Sequence, residues 1–242
     1  MQMERTIPKD KDNVTIDVEP SGASKNVARS NSRQLSQARA EETRSRILQC
    51  AREAFAAHGF TAANVRDIAR AAGTTHSMIT YHFGSKDELW RESVRDMFAL
   101  LQRTVINPAQ AELGLSAEDR FRNLLRRYTR YSAEHPEHAR ITVSETIVGG
   151  DRLEWMVEEF VKPGHEASMG QLSFLMDCGA LPQMPLPSLF YAMVGMIQLP
   201  FVLQKEAKLA MGYDFMSDEA IDAHADAVLN LLMPSRRVTP PS

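Results

Sequence analysis

Cysteine is nearly absent from this sequence, whose 242 residues contain only Cys50 and Cys178. The two lie too far apart in sequence for metal-ligand spacing, and this usage is typical of a reducing cytoplasm. The longest apolar run, residues 189–203, is too short to span a membrane and is interrupted by Gln198 and Pro200. The first thirty residues are polar and lack the apolar segment of a secretory signal. We therefore expect a cytoplasmic protein with no membrane partner.

The sequence also lacks the motifs that mark common enzyme sites. It has no Gly-rich phosphate loop, no nucleophile elbow, no H-E-x-x-H and no carboxylate pair in a recognisable setting. His135 and His138 flank Pro136 in a polar stretch, where we expect them to be solvated rather than to bind a metal. An enzyme remains the main alternative class, but we expect no catalytic residues, no cofactor and no metal.

Helical periodicity dominates the chain from Glu41 onward, and no alternating strand pattern appears. Asn64, Thr75, Ser85 and Ser116 are each placed to cap the start of a helix. The predicted fold is all-α, with an N-terminal three-helix head at residues 39–86 and a helical body at residues 87–234. Residues 1–38 and 235–242 are predicted to be a disordered arm and tail, the arm because it is polar with few aliphatic residues.

Positive charge is concentrated in the front of the chain. Residues 20–86 carry a net charge of +6, residues 87–242 carry −7, and the whole protein carries −3. This asymmetry indicates an anionic partner for the front end. A basic solubilising segment is the alternative explanation.

Two short predicted helices, joined at Gly73 and flanked by longer helices, give the pattern of a helix-turn-helix. In such a unit one short helix enters the major groove of DNA while the other braces it. The positions predicted to face outward after Gly73 are mostly hydrogen-bonding side chains, whereas a purely structural helix more often exposes Glu, Lys or Ala. They are Thr74, Thr75, His76, Ser77, Thr80, Tyr81 and His82.

The run from Thr43 to Trp90, above all NVRDIARAAGTTHSMITYHFGSKDELW, resembles the DNA-binding domain of the TetR (tetracycline-repressor-like) family. Over the following residues the resemblance is architectural only. It implies a homodimeric transcriptional regulator, a repressor released from a palindromic double-stranded operator by a small effector. A ligand-binding module whose head no longer binds DNA is a further alternative.

The resemblance also implies roles for individual residues. Arg66 matches a position that reaches DNA, although a surface salt bridge with Asp67 or Asp87 is its alternative. Thr80 departs from the family pattern, which most often has a phosphate-binding Tyr there, so Tyr81 and His82 are expected to carry more of the contact. The predicted DNA-binding residues are Arg44, Asn64, Arg66, Thr75, His76, Ser77, Thr80, Tyr81, His82 and Lys86.

The body is expected to supply an effector cavity and a dimer face. Large adaptable side chains suit an apolar or aromatic effector, although for any one of them ordinary core is the better explanation. The predicted effector residues are Met97, Leu101, Phe121, Tyr128, Trp155, Phe174 and Tyr191. Apolar stripes on the last two long helices predict the dimer interface, with an intramolecular core as the alternative. They comprise Ile197, Phe201, Ile221, Ala225, Val228, Leu229 and Leu232.

Overall fold

A computed structural model describes residues 22–107, 112 and 114–234 of the chain. Every regular element in these residues is a helix, which confirms the predicted all-α class. The α-helices are α1 (Gly22–Ala62), α2 (Val65–Ala71), α3 (His76–Phe83), α4 (Lys86–Leu101), α5 (Ala117–Glu134), α6 (Pro136–Val148), α7 (Asp151–Met156), α8 (Lys162–Asp177), α9 (Leu186–Val202), α10 (Gln204–Met211) and α11 (Asp218–Leu232). Two π-helical segments, Gln102–Ile106 and Val157–Val161, follow α4 and α7.

The helix starts follow the capping chemistry of the sequence. Asn64, Thr75, Ser85 and Ser116 are the N-caps of α2, α3, α4 and α5, and each side chain accepts a backbone N–H two or three residues later. Each bond satisfies a donor that the first helical turn would otherwise leave unpaired. The four predicted caps are therefore confirmed.

The first helix begins earlier than the sequence predicts. Residues 22–38, expected to belong to a disordered arm, lie in α1, so that expectation is wrong for them. Their polar composition gives no apolar face, yet most of these residues tolerate helical backbone, and periodicity alone does not find such a helix. Residues 1–21 and the predicted tail at 235–242 lie outside the described residues. By its contacts the chain divides after Glu42 into two units, and all packing described below lies within residues 43–242.

Two apolar clusters stabilise that second unit. The first surrounds the fully buried Trp90. It brings together side chains of the first four helices, Ile141 of α6 and Met156 of α7. The second unites α5, α8, α9 and α11 around Phe121, Leu125 and Ile197. Because α4 contributes to the first cluster and its π-helical continuation packs on α5, the head and the body share a continuous interior.

The apolar stripes predicted as the dimer interface lie inside the single chain. None of the seven side chains is more than 5% exposed, so none is available to a second copy, and that assignment is wrong. They face the body because α11 and α9 pack on α5 and on each other. The residues concerned are Ile197, Phe201, Ile221, Ala225, Val228, Leu229 and Leu232.

The last long apolar region is bent. α9 contains Pro200, and α9 and α10 meet at Leu203 with an angle of 69° between them. In the described part of the chain no single helix has the length and apolarity to cross a membrane. Only the bent pair α9 and α10 passes such a test, on length and composition alone.

Candidate DNA-binding surface and ligand cavity

A tight turn at Gly73 sets the angle between α2 and α3. The N–H of Thr74 donates to the carbonyl of Ala69 (2.9 Å), and the N–H of Gly73 donates to that of Arg70 (3.1 Å). This closure requires the positive φ of Gly73 (63°), which a residue with a Cβ adopts at a cost. Ile79 and Phe83 then bury the inner face of α3. The outer face is left to solvent.

The exposed face of α3 carries the polar side chains that the sequence places there. His76, Ser77 and Thr80 are exposed, and Tyr81 is 80% exposed, the most open aromatic residue of the head. The hydroxyls of Thr75 and Ser77 lie 2.9 Å apart and orient each other. Met78 is also partly exposed on this helix. The face therefore offers donors, acceptors and apolar contacts to whatever it meets.

Two of the predicted contact residues have a polar atom that is not free to meet a ligand. The hydroxyl of Thr80 donates to the carbonyl of His76 (3.1 Å), a bond within α3 that competes with any donation to phosphate. The Nε2 atom of His82 is buried and has no hydrogen-bond partner among the described residues, so this nitrogen does not face solvent. Tyr81 stands out as the free polar group at this end of α3.

The basic residues around α3 differ in how free they are. Arg66 is exposed and forms no ion pair in the described residues, because Asp67 pairs with Arg70 (2.9 Å) and Asp87 with Arg91 (2.8 Å). The salt bridge considered as the alternative role for Arg66 is thus not formed.

Arg44 and Lys86 are held in place by other groups. Arg44 pairs with Glu92 (2.5 Å) and lies over the ring of Phe83. Lys86 donates to the carbonyl of Thr61 (3.1 Å) and lies 4.9 Å from the centre of the Phe60 ring. Burial, and then the charge of Arg152, lower the pKa of Lys86. An ammonium group has three donors, so Lys86 still has capacity for a further acceptor.

The body contains a cavity of about 450 Å3, within the range of small-molecule sites. It lies between the end of α4, with its π-helical continuation, and α5 to α9. Aliphatic and aromatic side chains predominate in its lining. The polar lining residues are Gln102, Tyr128, His138, Thr142, Thr146, His165, Ser168, Gln171, Tyr191 and Gln198.

Four of the seven predicted effector residues line this cavity: Leu101, Phe121, Tyr128 and Tyr191. The other three do not. Met97 is buried in the first apolar cluster, Trp155 packs edge-on against Trp90, and Phe174 is 57% exposed. Composition identified the helices correctly but did not show which side of each helix faces inward.

The sequence reasoning missed the polar groups inside the cavity. His138, expected to be solvated, is only 6% exposed, and its Nδ1 lies 2.9 Å from the hydroxyl of Tyr131. The same hydroxyl lies 3.2 Å from the carbonyl of Met97 in α4, to which it can donate. Gln198 donates to the hydroxyl of Tyr128 (2.7 Å). The available signal was the position of His138 two residues inside a helix that begins at Pro136, on the same face as Ile141.

Comparison with known proteins identifies the head. Residues 47–92 match the family described as bacterial regulatory proteins, tetR family. The HTH-type transcriptional repressor NicS of Pseudomonas putida is 32% identical over 114 residues, 46% of this chain and 51% of that protein. The repressor AcnR of Corynebacterium efficiens is 38% identical over 63 residues, 26% of this chain and 34% of that protein. The chain therefore spans about half or less of these relatives, and the likeness to the tetR family lies in its head.

The solved structures extend the likeness in fold over the body. AibR in complex with isovaleryl coenzyme A and operator DNA superposes with a TM-score of 0.64, covering 79% of this chain and 98% of AibR at 14% identity. A HlyIIR mutant gives 0.62, covering 81% and 99% at 18% identity. At these identities the likeness shows the fold alone.

Proposed function

We propose that this chain is a cytoplasmic transcriptional repressor that binds a palindromic DNA operator as a homodimer and leaves it when a small effector occupies the cavity. The observation that carries the proposal is the exposed polar face of α3, presented beyond the turn at Gly73 and flanked by the unpaired Arg66. Ser, Thr and His side chains on an exposed short helix, together with an Arg on the preceding helix, suit the base edges of the major groove. The local charge of +6 suits its phosphates.

The DNA-binding half is tested with fluorescently labelled DNA from the region upstream of the chain's own gene. We expect binding that weakens steeply as salt rises, because phosphate contacts release counterions. Tyr81→Ala should weaken it by about 1–3 kcal/mol. Tyr213→Ala, which removes an exposed tyrosine after α10, is the matched control and should leave affinity unchanged. If the labelled DNA shows no binding even at low salt, the chain is better explained as a ligand-binding module without DNA function.

The position of the cavity supports control by a ligand. Phe98 and Leu101 of α4 line it, and α4 begins at Lys86, three residues after the end of α3. A molecule that displaces the end of α4 therefore acts on the helix that follows the DNA-reading element directly. AibR, solved with both isovaleryl coenzyme A and operator DNA, offers a precedent for one chain of this fold holding both. We propose that effector binding changes the spacing of the two heads.

A dimer needs a different face from the one predicted from the sequence. The outward sides of α9 and α11 expose Leu199 and Leu231, while their inward sides form the core. The two helices contact each other, so their outward sides are candidates for one shared surface. We propose that this surface, paired across a two-fold axis, forms a four-helix interface.

A further inference from the structure

We propose that the cavity takes an uncharged, hydroxyl-bearing ligand, aromatic or alicyclic in its body, and that His138 is the residue that selects for the hydroxyl. This inference rests on the proposed effector site and specifies the chemical class that it accepts. Three observations carry it: the charge of the lining, the hydrogen bonds that fix His138, and the unused proton of Tyr128.

The described lining of the cavity contains no lysine, arginine, aspartate or glutamate. A carboxylate or phosphate enclosed there would lose its hydration without gaining an ionic partner, and such a loss is costly. Uncharged polar groups are better suited, because the lining provides amides, hydroxyls and imidazoles. The lining therefore favours a neutral ligand over an anion of the same size.

The hydrogen bonds of Tyr131 determine which nitrogen of His138 carries the proton. Tyr131 has one hydroxyl proton, so its contacts with the carbonyl of Met97 (3.2 Å) and with Nδ1 of His138 (2.9 Å) are both hydrogen bonds only when that proton goes to the carbonyl. The bond between Tyr131 and Nδ1 of His138 then requires Nδ1 to be the donor. Nε2 is left as an acceptor, and it forms no hydrogen bond with the described residues. Burial keeps the ring neutral, since it lowers the pKa of His138 to about 4 despite the nearby charge of Glu137.

Tyr128 supplies the complementary group. Its hydroxyl oxygen accepts from Gln198, so its own proton remains to be donated. Burial raises the pKa of Tyr128 and keeps it protonated. Both residues line the cavity, and a hydroxyl can donate to an acceptor such as Nε2 and accept from a donor such as Tyr128, whereas an ether can only accept and a carboxylate adds an unpaired charge. The rings of Phe98 and Phe160, stacked at 4.6 Å between centres, provide an apolar wall for the ligand body.

The test uses three probes of nearly equal size, titrated into the full chain without DNA by calorimetry at pH 7. They are 2-naphthol, 2-methoxynaphthalene and 2-naphthoate. We expect 2-naphthol to bind about 2- to 10-fold more tightly than the methyl ether, the value of one hydrogen bond. We expect it to bind at least about tenfold more tightly than the carboxylate, which must give up its hydration. Equal binding of the three, preference for the carboxylate, or no binding of any probe would overturn the proposal.

Two variants assign the selectivity to one residue. In His138→Phe an aromatic ring is kept and the acceptor is lost, so the preference for 2-naphthol over its methyl ether should disappear. His58→Phe, at an exposed position of α1 outside the cavity lining, should retain it. A preference that persists in His138→Phe would overturn the role of His138, and the comparison of probes on the unaltered chain stands if that variant fails to fold.

The proposed ligand class and the proposed repressor function are tested by separate measurements, so one can be contradicted without the other. Binding of 2-naphthol is measured without DNA, and release of the labelled upstream DNA is measured in a second titration. Selective binding that leaves the DNA complex intact contradicts effector-controlled release but supports the ligand class. Release caused only by the carboxylate contradicts the ligand class and leaves the repressor function standing.

Discussion

At the scale of single residues, Arg66 and Arg70 form a natural comparison. Both are exposed on α2, but Arg70 is paired with Asp67 and Arg66 is unpaired in the described residues. The free guanidinium can approach a guanine edge with both donors. Arg66→Ala should therefore lower operator affinity by about 1–3 kcal/mol and relax the base preference at one position in each half-site.

The measurement is a titration of DNA variants that differ at single positions, read by fluorescence anisotropy. Arg70→Ala serves as the control, and we expect it to lower affinity by less and equally for all sequences, since it changes only the general charge. If the two substitutions act alike, Arg66 contacts phosphate or solvent rather than a base.

His138 also predicts a pH dependence of stability. Burial lowers its folded pKa to about 4, below the ordinary value of 6.5, so the unfolded chain takes up the proton first as the pH falls. The stabilisation is complete above pH 6.5 and is lost progressively toward pH 4. Between pH 7 and pH 5 we expect the free energy of unfolding to fall by about 2 kcal/mol, at about 1.4 kcal/mol for each pH unit below 6.5.

Urea denaturation at pH 7, 6 and 5 checks this expectation. His138→Phe should flatten most of the slope, and His58→Phe should preserve it. His165, whose pKa is also lowered by burial, adds a slope of the same sign that both variants retain. Glu137 contributes only at lower pH: burial raises its pKa, but the hydrogen bonds from His135 and from the backbone, with the nearby positive charges, outweigh this and lower it. An unchanged slope in His138→Phe would contradict the buried neutral state.

At the scale of elements, the turn between α2 and α3 determines how the reading helix is presented. Gly73 has a φ of 63°, and a Cβ built there meets no atom within 4 Å, so a substitution strains the backbone and not the packing. Gly73→Ala should lower the free energy of unfolding by about 1–2 kcal/mol. Gly170→Ala, in the interior of α8 with equal space, should raise it by up to about 1 kcal/mol.

The two glycine variants are compared by thermal and urea denaturation, and then by DNA binding. We expect Gly73→Ala to lower DNA affinity by more than its loss of stability explains, because a changed turn alters the orientation of α3. If Gly73→Ala and Gly170→Ala change stability in the same direction, the positive φ is not what this position requires.

The helix boundaries show which parts of the fold local chemistry determines. Asn64, Thr75 and Ser85 could be identified from sequence because a cap acts through a hydrogen bond to a residue two or three positions later. The start of α1 at Gly22 could not, since a polar segment has no apolar periodicity to reveal it. Local signals thus predicted the elements of the head.

At the scale of the whole molecule, the limits of sequence reasoning come from tertiary packing. An apolar stripe such as Ile197 with Val228 requires a partner surface, but periodicity does not say whether α5 or a second copy provides it. The same ambiguity placed Phe174 in the cavity and His138 in solvent, the reverse of what the structure shows. Each of these errors concerns the direction in which a helix face points.

The proposed dimer surface can be tested without disturbing the core if the substituted leucine is an exposed one. Leu231 of α11 is 71% exposed, so Leu231→Glu adds a charge without opening the monomer's interior. Across a two-fold axis the same change places two carboxylates in one apolar interface, where burying them unpaired is costly. Sedimentation equilibrium should therefore show a monomer for this variant and a dimer for the unaltered chain. Its circular dichroism should remain helical.

Leu209→Glu is the matched control, because Leu209 is even more exposed (89%) but lies on α10, beyond the bend at Leu203. It should leave the dimer intact. Loss of the dimer should also remove tight operator binding in Leu231→Glu, since a palindromic site is read by two heads about 34–36 Å apart and one head alone retains only half of the contacts. A Leu231→Glu protein that remains dimeric and bound to operator would place the interface on another face, and the exposed side of α6, with Val143 and Ile147, would be the next surface to substitute.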